Sequence, residues 1–286
     1  MSIFGAWLES RSRRQHIGLD TFSRALLADY WDHCSDVRGA AASTANRRVN
    51  HVHQLWEWCY DHDTIGAETP RPRRIDLPSP EAAATRAPTW AQMDAVIDAV
   101  GLEHWRRYLM VLRCTGLRTS QAMQLRWEDV DFDAGTLLIR PELGKSRSER
   151  RGRVVPLAPV LLREMSTWGP RQGWLVDWPG DTGQRDPARS TLRRAWERAG
   201  VPREIWATQP NHAMRKGYIS GLRLLGAAAD AVEFLVGHDM GIRGTYTDPW
   251  ALPLTDAVAR VPGCVPGCVP TVSRGGIGLS GTSVRP

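Results

Sequence analysis

Residues 103–157 read EHWRRYLMVLRCTGLRTSQAMQLRWEDVDFDAGTLLIRPELGKSRSERRGRVVPL, and along them the pattern changes from helix to strand. EHWRRYLMVLRCTG predicts a helix that stops at Gly116, a residue suited to a C-terminal cap. A short helix restarts at Thr119 or Ser120 and runs through Leu125. WEDVDF and TLLIR alternate on either side of the turn DAG, which predicts a β-hairpin. The polar loop ELGKSRSERRG then leads to a third strand, RVVPL. The expectation is a mainly α fold with a small three-stranded antiparallel β-sheet.

Helices surround this stretch. Upstream, Thr89 and Gln92 have capping-box spacing at the start of TWAQMDAVIDAV. Downstream come APVLLREMSTW, PARSTLRRAWERAG, NHAMRKGYISGLRLLG and ADAVEFLVG, then a short amphipathic piece, ALPLTDAVARV. Pro70, Pro72, Pro78, Pro80 and Pro88 preclude a continuous helix in TPRPRRIDLPSPEAAATRAP, which reads as a linker. Its Arg71, Arg73 and Arg74 are equally suited to phosphate contact and to plain solvation. Residues 1–18 read as a polar, basic arm. From Asp20, Phe22, Leu26, Leu27 and Tyr30 recur at helical spacing. A second helix starts near Ser43, with Val49, Val52, Leu55, Trp56 and Cys59 on one face and Arg47, Arg48 and Glu57 off it. The expected organisation is a helical domain over 1–80, a linker over 81–88 and a second domain over 89–262. The tail over 263–286 has a PGCV doublet and no periodicity, so it reads as disordered.

The chain has 286 residues, 42% of them hydrophobic and 24% charged, enough to bury a core without metal or disulfide staples. No run of 18 apolar residues exists, so no membrane helix is expected. The first residues have basic groups after apolar ones, the reverse of a secretory signal. Five scattered cysteines make no disulfide framework, and a cytoplasmic setting fits. A net charge of +6 and a pI near 9.4 point to an anionic partner, nucleic acid first. Lys145 and Lys216 are the only lysines among 37 cationic residues. Lysine has a transferable proton that arginine lacks, so these two stand out.

Six polar residues sit where the apolar pattern does not need them: Arg118, Lys145, His212, Arg215, His238 and Tyr246. A lone arginine is usually surface charge, and a lone tyrosine is usually packing. As an ordered set they mean more. Two arginines, a lysine and two histidines bind a phosphate and move protons. A tyrosine hydroxyl is a covalent nucleophile. No cluster of Asp or Glu adjoins them to hold magnesium. The set suggests phosphoryl transfer in which side-chain cations do the work of metal ions.

CTGLRTSQAMQLRWEDVDF, GKSRSERRGRVVPL, NHAMRKGYISGLRLLG and LVGHDMGIRGTYTDP together resemble the catalytic domain of tyrosine recombinases, the phage integrase family, over residues 89–262. The resemblance implies that residues 1–80 are a core-binding domain and that the two domains clamp duplex DNA at a specific recombination site. It implies that Tyr246 attacks a backbone phosphate to give a 3′-phosphotyrosyl link and a free 5′-hydroxyl, without metal, nucleotide or other cofactor. Arg118 and Arg215 would hold the nonbridging oxygens, and His212 would bond the phosphate and help with the nucleophile's proton. Lys145 would protonate the leaving 5′-oxygen, and His238 would contact the phosphate. Lys216 reads as a nearby phosphate contact or surface charge. A homo-tetramer on two sites, an accessory DNA-bending factor and a nucleoid-associated location also follow from the resemblance. Two departures stand out. The family's usual acid three residues after the first arginine is Gln121 here, whose oxygen still accepts hydrogen bonds without the charge. The step from His238 to Tyr246 is one residue short, with Gly241 and Gly244 available to absorb the change.

Two other readings of the chain stay open. One is a DNA-binding relative without catalysis, which would form no covalent adduct. The other is a type IB topoisomerase-like enzyme, which would relax DNA lacking a specific site. A zinc site from His33, Cys34, His51, His53, Cys59 and His62 is disfavoured, because His51 and His53 diverge on a helix and Cys59 with His62 gives two ligands of four. A core cysteine and surface histidines are expected instead. Most of the 13 tryptophans fall at helical-period positions and read as core, with Trp31 and Trp58 the candidates for DNA contact.

Overall fold

The computed structural model describes residues 3–11, 22–65, 71, 73–79, 86–144, 152–169, 171–176, 178, 189–238, 240, 244 and 247–263. The chain divides into two compact units, Met1–Ala84 and Thr85–Pro286. The tail over 264–286, with Cys264 and Cys268, lies outside the described residues, as do Lys145, Gly241 and Tyr246.

The first unit is helical. The polar arm expected over 1–18 is corrected in part, because Ile3–Arg11 is a helix, α1, with Trp7 buried. Phe4, Trp7 and Leu8 share one face at helical spacing, and that face outweighs the basic residues beyond it. Phe4 meets Tyr30 edge-on at 4.9 Å. Helix α2 (Arg24–Asp32) starts at Ser23, whose hydroxyl accepts from the Leu26 N–H at 3.1 Å, and it runs into a π-helical turn over His33–Val37. Helix α3 (Ala42–Asp61) buries Val49, Val52, Trp56 and Cys59 as expected. Leu55 does not join them and is 46% exposed, since its position falls at the rim of that stripe. His53, expected at the surface, is buried, with Nδ1 3.4 Å from the Glu57 carboxylate. Trp31 donates to Asn46 Oδ1 at 2.7 Å, whereas Trp58 is exposed and stacks on His62 at 4.5 Å. Ile75 and Leu77 of the proline-rich segment pack against this core.

The second unit is built around one buried helix. Helix α4 (Trp90–Ala99) begins with the expected capping box, Thr89 and Gln92 each bonding the other's backbone N–H. Helix α5 (Glu103–Thr115) is buried along nearly its whole second half and ends at Gly116, where φ is +61°. The short helix α6 (Thr119–Ala122) follows. Strands β1 (Val130–Asp131), β2 (Thr136–Ile139) and β3 (Arg153–Pro156) form an antiparallel sheet in that order. Leu137 pairs with Val155 and Ile139 with Arg153, so these four share one face. Leu137, Ile139 and Val155 are buried, while Leu138 and Val154 face outward. Helices α7 (Pro159–Ser166), α8 (Arg189–Arg198), α9 (Arg203–Trp206), α10 (Pro210–Leu224) and α11 (Ala229–Val236) complete the body. The four-residue α9 is too short for its periodicity to show in sequence. It brings Trp206 parallel to Trp196 of α8, ring centres 6.2 Å apart.

Helix α10 packs closely because it carries glycine where α4 crosses it. A Cβ at Gly217 would stand 2.5 Å from the Met93 sulfur, and one at Gly221 would stand 2.5 Å from the Trp90 ring. Helix α12 (Leu254–Ala259) folds back within the chain, burying Ala257 and Val258 against α11 and β3. No helix among the described residues is long and apolar enough to cross a membrane. No group of three or more His, Cys, Asp or Glu among them is arranged to hold a metal ion.

Arg113 ties the ends of this unit together. Its side chain is fully buried, pairs with Asp94 through two hydrogen bonds, and donates to the Pro262 carbonyl at 3.0 Å. Removing one partner of a buried pair leaves an uncompensated charge. Arg113→Met should therefore destabilise the chain by about 3 kcal/mol or more, read as a lowered urea midpoint. Arg113→Met with Asp94→Leu should recover most of that loss, because both charges are gone.

Candidate active site

Four of the six residues singled out in the sequence fall among the described residues, and the fold brings them together. Gly116 turns the chain out of α5, and Arg118 follows at the start of α6. The Arg118 guanidinium reaches the C-terminal end of α11, with Nη1 3.5 Å from the Gly237 carbonyl. Arg215 and His212 lie three residues apart on α10. Arg215 is 2% exposed and donates from Nη1 to the Gly116 carbonyl at 2.8 Å. A Cβ at Gly116 would collide with the Tyr218 ring, one turn along α10 from Arg215, so the corner needs glycine for close approach as well as for its positive φ. His238 follows Gly237, the left-handed cap of α11 with φ +67°. Its backbone N–H closes the helix by donating to the Glu233 carbonyl at 2.9 Å.

Charge shows how tightly these groups are gathered. Burial, then Arg118, then Arg153 push the Arg215 guanidinium down to about 9. Burial and then Arg118 push Arg153 down to about 10, and burial lowers Arg118 as well. Each charged neighbour acting on Arg215 is thus another cation. Both histidines are held below the usual imidazole range. For His212 the causes are burial, then Arg215, Lys216, His238 and Arg118. For His238 burial leads, followed by Arg215 and Arg118, with Glu233 pulling the other way. Three guanidiniums gathered this closely repel one another in a low-dielectric setting, and an anion among them removes the repulsion. Arg215 Nη2 and Arg153 Nε are buried and have no hydrogen-bond partner among the described residues. Such donors are expensive to leave unmade. The site is therefore built to receive an anion with several acceptor oxygens.

Arg153 was missed in the sequence, where it reads as the first residue of a strand. The available signal was its register: it is in phase with Val155, so an arginine occupies an inward position of an alternating strand. Gln121 also departs from the expectation that it would serve the Arg118 guanidinium. It is fully buried, and its oxygen accepts from the Arg118 backbone N–H at 3.3 Å while its amide nitrogen is 3.5 Å from the Leu143 carbonyl. A carboxylate has no donor for that carbonyl, which is a physical reason for an amide here.

The phage integrase family model matches residues 91–248, more than half of the chain. Among curated proteins, an integrase/recombinase of Escherichia coli is 34% identical over 221 residues, covering 61% of this chain and 63% of the relative. The matched part thus spans slightly less than two thirds of that relative. Tyrosine recombinase XerD of Rhizobium meliloti is 27% identical over 259 residues, covering 82% and 79%. Tyrosine recombinase XerC of Xanthomonas axonopodis pv. citri is 27% identical over 229 residues, covering 73% and 68%. Among solved structures, the Tn1549 transposon integrase in complex with transposon right end DNA aligns at TM-score 0.59 and 16% identity, over 82% of this chain and 83% of that one. XerH site-specific recombinase bound to its difH substrate aligns at TM-score 0.59 and 15% identity, over 89% and 74%. These two share the fold. By its matched domain, its order of motifs and its mainly helical architecture, the chain belongs to the phage integrase family.

Proposed function

We propose that the protein is a site-specific DNA recombinase that cuts and rejoins duplex DNA through a 3′-phosphotyrosyl intermediate. The observation that carries this reading is the cluster of Arg118, Arg153 and the buried Arg215 beside His212 and His238, lying where the family motifs converge. Arg118 and Arg215 hold the nonbridging oxygens of the scissile phosphate and stabilise the charge that grows in the pentacoordinate state. The Tyr246 oxygen attacks phosphorus as the bond to the 5′-oxygen breaks. His212, whose imidazole is held below its usual range and so favours the basic form, takes the tyrosine proton. Lys145 gives a proton to the 5′-oxygen as it leaves, and His238 bonds the phosphate. The phosphotyrosyl link keeps the bond energy, so a 5′-hydroxyl reverses the step and ligates DNA without ATP. Side-chain cations take the part that metal ions play in other phosphoryl transfers. Exchange between two sites uses a tetramer, with an accessory DNA-bending factor assisting assembly.

The other tyrosines favour Tyr246 by elimination. Tyr30, Tyr108 and Tyr218 are at most 2% exposed, and burial pushes the Tyr218 hydroxyl well up from its usual value. Tyr60 lies on α3 in the first unit.

The covalent step is tested with a duplex recovered by repeated selection on the immobilised protein from a randomised pool. Nicking it near the cleavage point lets a short fragment escape and traps the adduct. Wild type should give a DNA band that survives denaturant and disappears with protease. Tyr246→Phe should give none while still shifting the duplex in a native gel, since it loses one oxygen and keeps its ring. An adduct in Tyr246→Phe overturns the assignment.

The lowered histidines give a second test. Both are held below the ordinary imidazole value in the free chain, and a bound anion raises them by supplying the opposite charge. Anion binding is then coupled to proton uptake and tightens as pH falls through the ordinary imidazole value of 6.5. Sulfate affinity, measured by calorimetry, should rise from pH 7.5 to 5.5. His212→Gln with His238→Gln should flatten that rise. Proton release on binding would contradict it.

A further inference from the structure

Arg153 stands on the inward face of β3, paired with Ile139 and in phase with the buried Val155. An arginine there displaces an apolar side chain from the register of the sheet, so something must hold its charge. What holds it is the end of α11. Its Nη2 donates to the Leu235 carbonyl at 3.4 Å, and its Nη1 lies 2.5 Å from where a Cβ at Gly237 would stand. Gly237 is thus required twice, for its φ of +67° and for the guanidinium packed against it. Arg118 approaches the same turn from its own side, toward the Gly237 carbonyl at 3.5 Å. Two cations therefore bracket the C-terminal end of one helix, where the aligned peptide dipoles place about half a negative charge. The residue that follows this bracketed turn is His238.

We propose that Arg153 is a positioning residue of the phosphate site, acting through the α11 turn that carries His238. This rests on the recombinase reading above and names a further residue for the same reaction. Arg153 fixes the turn by packing flat against Gly237 and by meeting the Leu235 carbonyl. That sets where the imidazole sits relative to Arg118 and Arg215. Hydrogen-bonding geometry around a reacting phosphate tolerates displacements of only about half an ångström, so a loosened turn slows the chemistry more than the binding. Lysine is a poor replacement, because a compact ammonium cannot both meet the carbonyl and cover the glycine face.

The experiment is a cycle of single-turnover cleavage on the selected nicked duplex, with Arg153→Met, His238→Ala and the double variant. Methionine keeps an unbranched apolar stem and removes the guanidinium. Arg153→Met should slow adduct formation by about 10–100-fold, the range for residues that orient a ligating group. Its half-saturating DNA concentration should rise by a much smaller factor than the cleavage rate falls, because one of three cations at a single phosphate is lost while the other contacts along the duplex remain. In the His238→Ala background, Arg153→Met should add less than about a twofold loss, since the group it positions is already gone. Equal losses in both backgrounds overturn the proposal, and so does an unchanged cleavage rate in Arg153→Met. If Arg153→Met melts below the assay temperature, Arg153→Lys carries the same cycle. A DNA-free readout comes from histidine-selective NMR of the full chain. Arg153→Met should move the His238 ring resonances and leave those of His53, in the other unit, in place. Unmoved His238 resonances also overturn the proposal. A wild-type protein that forms no adduct at all defeats the recombinase reading, which is a separate outcome.

Discussion

The hydrogen bond from the Arg215 guanidinium to the Gly116 carbonyl joins the two helices on which the site depends. It forms only because α10 can lie against the corner after α5, with the Tyr218 ring resting on a residue that has no side chain. The corner sets the exit of the chain from α5 and so sets Arg118, two residues on. The same face of α10 carries His212, one turn before Arg215. The glycines at 217 and 221 extend the close contact to α4, whose Asp94 anchors the buried Arg113 and, through it, Pro262. Position in the site and cohesion of the unit are thus parts of one packing arrangement, and a larger residue at Gly116 would disturb both.

Much of the fold was legible because its signals were local. The capping box at Thr89, the stop at Gly116 and the alternation of TLLIR and RVVPL each depend on a few adjacent residues and appear in the structure as expected. Where periodicity was overruled by charge counting, as over residues 3–11, the expectation failed: the apolar face of α1 folds onto Tyr30 despite its basic neighbours. Leu55 failed for a different reason, since a stripe read to the nearest turn does not resolve its own edge. In the site, Arg118, His212, Arg215 and His238 came from ordered motifs. Arg153 did not, because its importance lies in strand register against β2 and in contact with a helix that begins 76 residues later (from 153 to 229). Pairing across that separation is invisible to any local pattern.

Gln121 illustrates how one family position changes its task. The amide spans two backbone groups, the Arg118 N–H and the Leu143 carbonyl, and so joins the α6 corner to the chain just before residue 145. An acid at this position would bring a negative charge to a site whose three guanidiniums repel one another. It would also set an acceptor against the Leu143 carbonyl. The amide keeps the backbone tie and leaves the cluster its full positive charge.

The use of arginine throughout that cluster has a consequence for which substitutions the site can absorb. Arg215 and Arg153 are pushed down to about 9 and about 10, yet both remain protonated at neutral pH. A lysine ammonium begins lower, near ~10.4, so the same downward push would bring it much closer to losing its proton at neutral pH. Any part of its population that turned neutral before a phosphate arrived would cost the site attraction for the anion it is built to hold. Exchange of arginine for lysine is close to neutral over most of an exposed surface. Here it is a change in how much charge survives burial.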